Sequence, residues 1–316
     1  MKNNYAIGIL AFNEEPFIKS VLTDLTDLNV KIYIVNDSST DNTLNIIKEF
    51  SNFNDIEIIN NEINLGAGLS TKKLIDSAYK DGYKFLIKVD GDGQFSSEDV
   101  EKILDTYLNG DYEFIKSNRF WSNGIIGRIP KIRFFGNLFA TLLLQFSIGS
   151  NLLFDPLNGL FGVSTSILNI LDNKNYPKRY GYPFFIAASA IQSNLKTKQL
   201  NNTVKYSEEE SNLSSIKVFA TLLKLSFYFY IKKYKSKKYE GLLQKSAFFD
   251  FIFMTFLTLT MFTTIYLIST TFFEIKGFIK TTNLFLLIMF FLIISLYSFS
   301  SSFRDESNYR KNVIDQ

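Results

Sequence analysis

An α/β fold with a mostly parallel sheet, followed by a helical membrane hairpin, is predicted by three features of the sequence. Four short apolar runs each close on Asn or Asp, helix-spaced apolar residues lie between them, and two uncharged runs of membrane-spanning length come last.

The first strand is predicted over 6–12, and Phe17, Val21, Leu22 and Leu25 after it recur on one helix face. The second covers 31–35. Leu44, Ile47 and Phe50 mark the helix behind it, and Ser39, Thr40 and Asp41 supply its caps, Asp41 being read as a cap and not a ligand. A third strand over 56–60 leads into a helix over 69–79, and a fourth over 85–90 into a helix over 100–108. Such alternation favours parallel strands joined by right-handed crossovers. Ligands then sit beyond the carboxyl ends of the strands, where this chain carries Asn13 and Glu14, Asn36 and Asp37, and Asp90 and Asp92.

Of 316 residues 46% are apolar, enough for one large domain or two small ones. The chain has no Cys and no His, which excludes disulfides, thiol nucleophiles and imidazole acid/base catalysis. Catalysis must run on carboxylates, Lys or Arg, hydroxyls and metal. A net charge of +3 is too small to imply a nucleic-acid partner.

The uncharged runs cover 251–273 and 281–303, each long enough to cross a bilayer. Lys232, Lys233, Lys235, Lys237, Lys238 and Lys245 precede them and Arg304, Arg310 and Lys311 follow, whereas the connection carries only Lys276, Lys280 and Glu274. The positive-inside rule makes both flanks cytosolic. The apolar run at 5–12 is too short for a signal peptide. The expectation is a multi-pass protein of the cytoplasmic (inner) membrane with its polar part and both termini in the cytosol.

Asp90-Gly91-Asp92-Gly93-Gln94 closes the fourth strand, with Asp90 and Asp92 two residues apart. Residues i and i+2 leaving a strand point the same way, and two hard carboxylates suit Mg²⁺ or Mn²⁺ bound together with substrate phosphates. A solvated acidic turn has the same composition. Gly66-Ala67-Gly68-Leu69-Ser70-Thr71 partly matches a dinucleotide fingerprint, but Thr71 stands in place of the third glycine and the element follows the third strand, not the first.

Together, Ala11-Phe12-Asn13-Glu14-Glu15, Val35-Asn36-Asp37-Ser38-Ser39-Thr40-Asp41, Asn64-Leu65-Gly66-Ala67-Gly68 and the Asp90 motif resemble family 2 glycosyltransferases of the GT-A fold. Asn118-Arg119-Phe120, Arg133 with Gly136-Asn137, and Asp155-Pro156-Leu157-Asn158-Gly159 are similar to the branch of dolichol-phosphate mannosyltransferases and bacterial polyprenyl-phosphate glycosyltransferases. The resemblance implies a nucleotide site at Ala11, Asn13, Glu14, Asp37, Gly66 and Asp90, and metal and diphosphate held by Asp90, Asp92 and Gln94, with Asp90 and Asp92 catalytic. It also implies that Arg119, Arg128 and Arg133 meet the phosphate of a lipid acceptor.

Those arginines and Lys131 precede an apolar stretch over 134–154, read as a helix lying on the membrane surface, and 213–231 is read as a second. The expected organisation is a catalytic domain over 1–212 with an interfacial helix at about 133–154, a lysine-rich juxtamembrane segment over 213–246, and a hairpin with a cytosolic tail over 247–316. One departure stands out: relatives carry acidic residues in the segment Gly181 to Ser189, and this chain has none there. The resulting expectation is transfer of one sugar, with inversion, from a nucleotide-diphosphate sugar to polyprenyl phosphate. The alternatives are a transferase acting on a glycolipid hydroxyl, with Asp155 or one of Glu208, Glu209 and Glu210 as base, and a non-catalytic nucleotide-sugar-binding subunit. A second copy of the chain is a further candidate partner.

Overall fold

The structure is a computed structural model that describes residues 4–53, 55–119, 131–202, 215–240, 244–272 and 281–314. It divides into two units, Met1–Tyr228 and Phe229–Gln316, with the boundary inside a long helix.

In the first unit, β1 (Tyr5–Ala11), α1 (Ile18–Thr26), β2 (Ile32–Asn36), α2 (Thr43–Glu49), β3 (Ile56–Asn60), α3 (Ala67–Lys80), β4 (Phe85–Asp90) and α4 (Ser97–Leu108) alternate as the sequence predicts. There follow β5 (Phe114–Asn118), α5 (Lys131–Ile148), β6 (Phe161–Ser164), α6 (Tyr182–Gln192), β7 (Thr197–Asn201) and α7 (Ser215–Glu240), which crosses the boundary. The sheet has seven strands in the order β3-β2-β1-β4-β6-β5-β7.

Successive strands run outward from β1 through β2 to β3, and β4 then returns to the other side of β1. That reversal opens a crevice beyond the carboxyl ends of β1 and β4. Register brings the strand ends level: Leu10 pairs with Asp90, Ala11 with Asn36, and Asn36 with Asn60. The strands stay in place because Ile7, Ile9, Ile34, Ile87 and Val89 are buried with Leu22 and Ile103 of the covering helices.

β6 departs from the parallel pattern, running antiparallel to both β4 and β5. Gly162 makes this fit possible. A Cβ there would stand 2.4 Å from the Phe85 ring.

The helix expected to reach 154 ends at Ile148, where Gly149 adopts φ +65° and turns the chain out of the helix. Its exposed face is apolar, with Phe135, Leu138 and Leu142, and its covered face mixes Ala140, Leu144 and Ile148 with Asn137, Thr141 and Ser147. Phe219, Leu223 and Phe227 of α7 are exposed as well, and the rings of Phe139 and Phe219 stack at 4.9 Å.

In the second unit, α8 (Gln244–Phe272) and α9 (Thr281–Ile314) contain apolar spans at Phe249–Ser269 and Asn283–Glu306, close to the expected positions. Most of their large apolar side chains face outward, Phe262 and Leu286 among them. Buried polar groups join the helices: Lys233 pairs with Glu306 at 3.3 Å, and the Ser302 hydroxyl donates to Asp250 at 2.5 Å.

Candidate active site

The loops after β1 and β2 are laced together. Asn13, at φ +57°, donates its N–H to Ser39 Oγ (3.0 Å) and accepts from the Thr40 N–H (2.8 Å), while the Glu14 N–H donates to Thr43 Oγ1 (2.8 Å). Ser39, expected as a cap, thus bridges two loops. Asp41 does cap α2, accepting from the Thr43 N–H at 3.0 Å. Burial pushes the Asp41 carboxyl up, but hydrogen bonds from Thr43 and the Glu15 N–H outweigh it and leave it below its ordinary value.

Asp37 is buried, and its oxygens accept from Asn61 Nδ2 (2.8 Å), the Leu65 N–H (2.9 Å) and the Gly66 N–H (2.8 Å). It shapes the turn that starts α3. In that turn a Cβ on Gly66 (φ +91°) would come within 2.4 Å of Arg179, and one on Gly68 within 2.0 Å of the Pro177 carbonyl oxygen. The two glycines let chain pass over the helix start, which accounts for them without a dinucleotide.

At the end of β4, Asp90 stands between two supports. Lys88 is completely buried and donates from Nζ to Asp90 Oδ1 and to Tyr182 Oη, the latter at 2.7 Å. Burial lowers the Lys88 pKa, but the charges of Asp90 and Tyr182 outweigh burial and raise it, so the side chain is an ammonium. On the other side, Gly159 lies so close that a Cβ would overlap Asp90 Oδ2. Asp92 accepts the Gln94 N–H at 3.0 Å across Gly93, whose φ is +69°.

This donor set fits a hard divalent cation: two carboxylates and an amide at one turn, with the rest of the shell left to water and phosphate oxygens. Among the described residues no group of three or more His, Cys, Asp or Glu is placed to hold a metal. Asp90, Asp92 and Gln94 would thus offer a cation part of a coordination shell.

The β5 side is closed. Arg119 grips Asp155 with two hydrogen bonds, Nε to Oδ2 and Nη2 to Oδ1, each 2.7 Å, and its backbone N–H adds a third at 3.2 Å. Asp155 has no solvent exposure and adopts φ +52°. Lys116 is equally buried, and its Nζ donates to the Asn158 carbonyl oxygen. Burial, with Arg119 and Lys88 adding to it against Asp155, pushes Lys116 down to about 7.

The structure thus places Ala11 and Asp90 at the last positions of β1 and β4, and Asn13, Glu14, Asp37, Gly66, Asp92 and Gln94 on the segments that follow the parallel strands at the same end. Arg119 directly follows β5 and is held by Asp155. Arg128, Glu208, Glu209 and Glu210 lie outside the described residues, and of Arg133 only the backbone, in the first turn of α5, is described. Sequence reasoning missed Lys88 and Tyr182. A lysine inside the apolar run Phe85-Leu86-Ile87, two residues before Asp90, was the signal for the first; Tyr182, ninety-four positions from Lys88, gave none. A cavity lined by Tyr5, Lys84, Tyr107 and Glu113 opens at the opposite end of the strands.

Residues 6–168 match the family model described as glycosyl transferase family 2. The chain is 31% identical over 186 residues to a UDP-N-acetylglucosamine–dolichyl-phosphate N-acetylglucosaminyltransferase of Methanococcus voltae, covering 54% of this chain and 74% of that one. It is 27% identical over 208 residues to an uncharacterised protein of Methanocaldococcus jannaschii, covering 66% and 84%. Among solved structures, glucosyl-3-phosphoglycerate synthase of Mycobacterium tuberculosis in complex with UDP superimposes with a TM-score of 0.53 at 18% identity, over 71% of this chain and 80% of that one. The same enzyme in complex with Mn²⁺, UDP and glucosyl-3-phosphoglycerate gives the same score.

Proposed function

The chain belongs to glycosyl transferase family 2 and is a glycosyltransferase of GT-A-like fold, and we propose that it transfers one sugar from a nucleotide-diphosphate sugar to polyprenyl phosphate at the cytosolic membrane surface. Asn13, Glu14 and Asp37 shape the nucleotide end, with Ala11 and Gly66 in the adjoining turns. Asp90, Asp92 and Gln94 hold Mg²⁺ or Mn²⁺ against the diphosphate. The ion supplies neutralisation of the charge that develops on the leaving diphosphate. The other contributions are the chain's own: Lys88 and Gly159 fix Asp90, and the turn at Gly93 fixes Asp92.

Support for the donor comes from the relatives, whose names include UDP-N-acetylglucosamine and UDP. The observation that most favours the phosphate acceptor is the sealing of Asp155, one of the candidate bases for a hydroxyl acceptor. With no exposure and both oxygens on Arg119, it is in no position to deprotonate a hydroxyl. A lipid phosphate is already anionic and needs no base, which suits a chain without His. Arg128 and Arg133 are proposed to meet that phosphate, with Arg119 already engaged by Asp155 at the end of β5.

The domain reading follows: a catalytic domain over 1–212, a juxtamembrane segment over 213–246 and a hairpin over 247–316. The outward apolar faces of α5 and α7 support a membrane-surface role for both helices, because Phe135, Leu138 and Leu142 on one and Phe219, Leu223 and Phe227 on the other are exposed although each helix also buries apolar residues on its covered side. The hairpin spans the membrane with both ends in the cytosol.

The test is to give the purified full chain a panel of nucleotide sugars with polyprenyl phosphate, or with the matching polyprenol, and follow label into lipid. Metal-dependent transfer to the phosphate and not the alcohol is expected. Equal transfer to the alcohol removes the acceptor reading.

A further inference from the structure

Lys88 has no role in the scheme above beyond orientation, yet its charge sits where it must influence everything that binds to Asp90. It is buried, its Nζ bonds Asp90 Oδ1 and Tyr182 Oη, and Gly159 closes the far side of the carboxylate. Buried charges are poorly screened, so this ammonium acts strongly on its neighbours. Before any ligand binds, the carboxylate of Asp90 is already offset by the Lys88 ammonium, and among the described residues no group of three or more His, Cys, Asp or Glu is placed to hold a metal.

A free divalent cation finds little attraction there, because Lys88 repels it and already occupies one oxygen of Asp90. A diphosphate reverses the balance: its several negative charges are attracted by Lys88 and by the cation together. We infer that Lys88 is a positioning residue acting as a buried counter-ion, which disfavours the cation alone and favours cation and diphosphate jointly, so that the two bind as a unit. This rests on the reading of Asp90 and Asp92 as the cation-holding pair. It explains why so few protein ligands suffice, since the missing oxygens arrive with the nucleotide.

The experiment is a Mn²⁺ titration of the full chain followed by electron paramagnetic resonance, alone and with saturating UDP or GDP. The variants are Lys88→Gln, which keeps a donor but loses the charge, Lys88→Met, which fills the space with apolar atoms, and Asp92→Asn. Wild type is expected to bind Mn²⁺ weakly alone and far more tightly with one of the nucleotides. Both Lys88 variants should bind Mn²⁺ alone at least as tightly as wild type, and the nucleotide-induced gain should shrink by about fivefold or more, the lower end of typical coupling. A merely structural role predicts equal weakening of both titrations, and that result, or an unchanged gain, overturns the inference. If neither variant folds, as judged by its melting curve, absence of a nucleotide-induced gain in wild type overturns it, and presence of the gain supports it. Asp92→Asn distinguishes the two levels: undiminished Mn²⁺ binding in that variant removes the metal reading itself, whereas lost binding there with an unchanged gain in the Lys88 variants removes only the counter-ion.

Discussion

In the parallel half of the sheet, β3-β2-β1-β4, most polar groups stand beyond the strand ends, Asn13 exposed and Glu14, Asp92 and Gln94 half-buried, with Asp37 and Lys88 among the buried exceptions. In the mixed half, β6-β5-β7, a lysine and an ion pair lie inside. Lys116 and Asp155 have no exposure, and Arg119 is clamped by Asp155. Groups at a wet edge can exchange water for a ligand at little cost, but a buried charge must keep its protein partner. The first half is therefore suited to binding and the second to holding the first in place. Asp90 is where they meet, touched by Lys88 from β4 and by Gly159 from the loop entering β6.

This contrast breaks most visibly if a charge in the mixed half is dispensable. Asp155→Asn leaves Arg119 without its carboxylate, and removing one partner of a buried pair costs about 3–5 kcal/mol. Chemical denaturation should show that loss, and replacing both residues by apolar ones should recover much of it. A variant as stable as wild type would mean that the pair is not buried in solution.

Gly159→Ala probes the meeting point. The added Cβ overlaps Asp90 Oδ2, and overpacking of this kind costs about 1–3 kcal/mol. It should also weaken Mn²⁺ binding, whereas a melting temperature and Mn²⁺ affinity equal to wild type would show that the loop does not press on Asp90.

The buried lysine gives the mixed half a pH signature. Lys116 is held near 7 in the fold against 10.5 for the ordinary side chain. Between those values the unfolded chain binds the extra proton, so stability rises with pH across that window, by up to about 1.4 kcal/mol per unit. Comparison of melting temperatures from pH 7 upward should show a flatter profile for Lys116→Met. Parallel profiles would place Lys116 in contact with water.

The smallest expected effect lies away from both halves. A Cβ on Gly136 in α5 meets nothing within 4 Å, so Gly136→Ala should stabilise the protein by about 1 kcal/mol through helix propensity alone. A loss instead would indicate that this face needs close backbone approach.

The parallel half was legible in the sequence because each strand is a local apolar run ending on Asn or Asp, whereas the strand order with its switch between β1 and β4 rests on long-range pairing that no local run encodes. The apolar stretch after Arg133 was legible as a helix, though not its end, since only the conformation of Gly149 stops it at Ile148. The mixed half was hidden for a physical reason. The Arg119–Asp155 clamp joins residues thirty-six positions apart, and the antiparallel entry of β6 depends on the space that Gly162 leaves for Phe85, so neither is written in a local pattern. Asp155 illustrates the consequence: its sequence setting admits a general base, and its burial does not.

The central claim is that the carboxylates at the open edge do the chemistry, and turnover of Asp92→Asn at saturating Mn²⁺ tests it most directly. The neutral amide should leave the melting temperature unchanged and lower the transfer rate by about 10² or more, the usual scale for lost transition-state electrostatics. Turnover close to wild type at saturating metal would contradict the account.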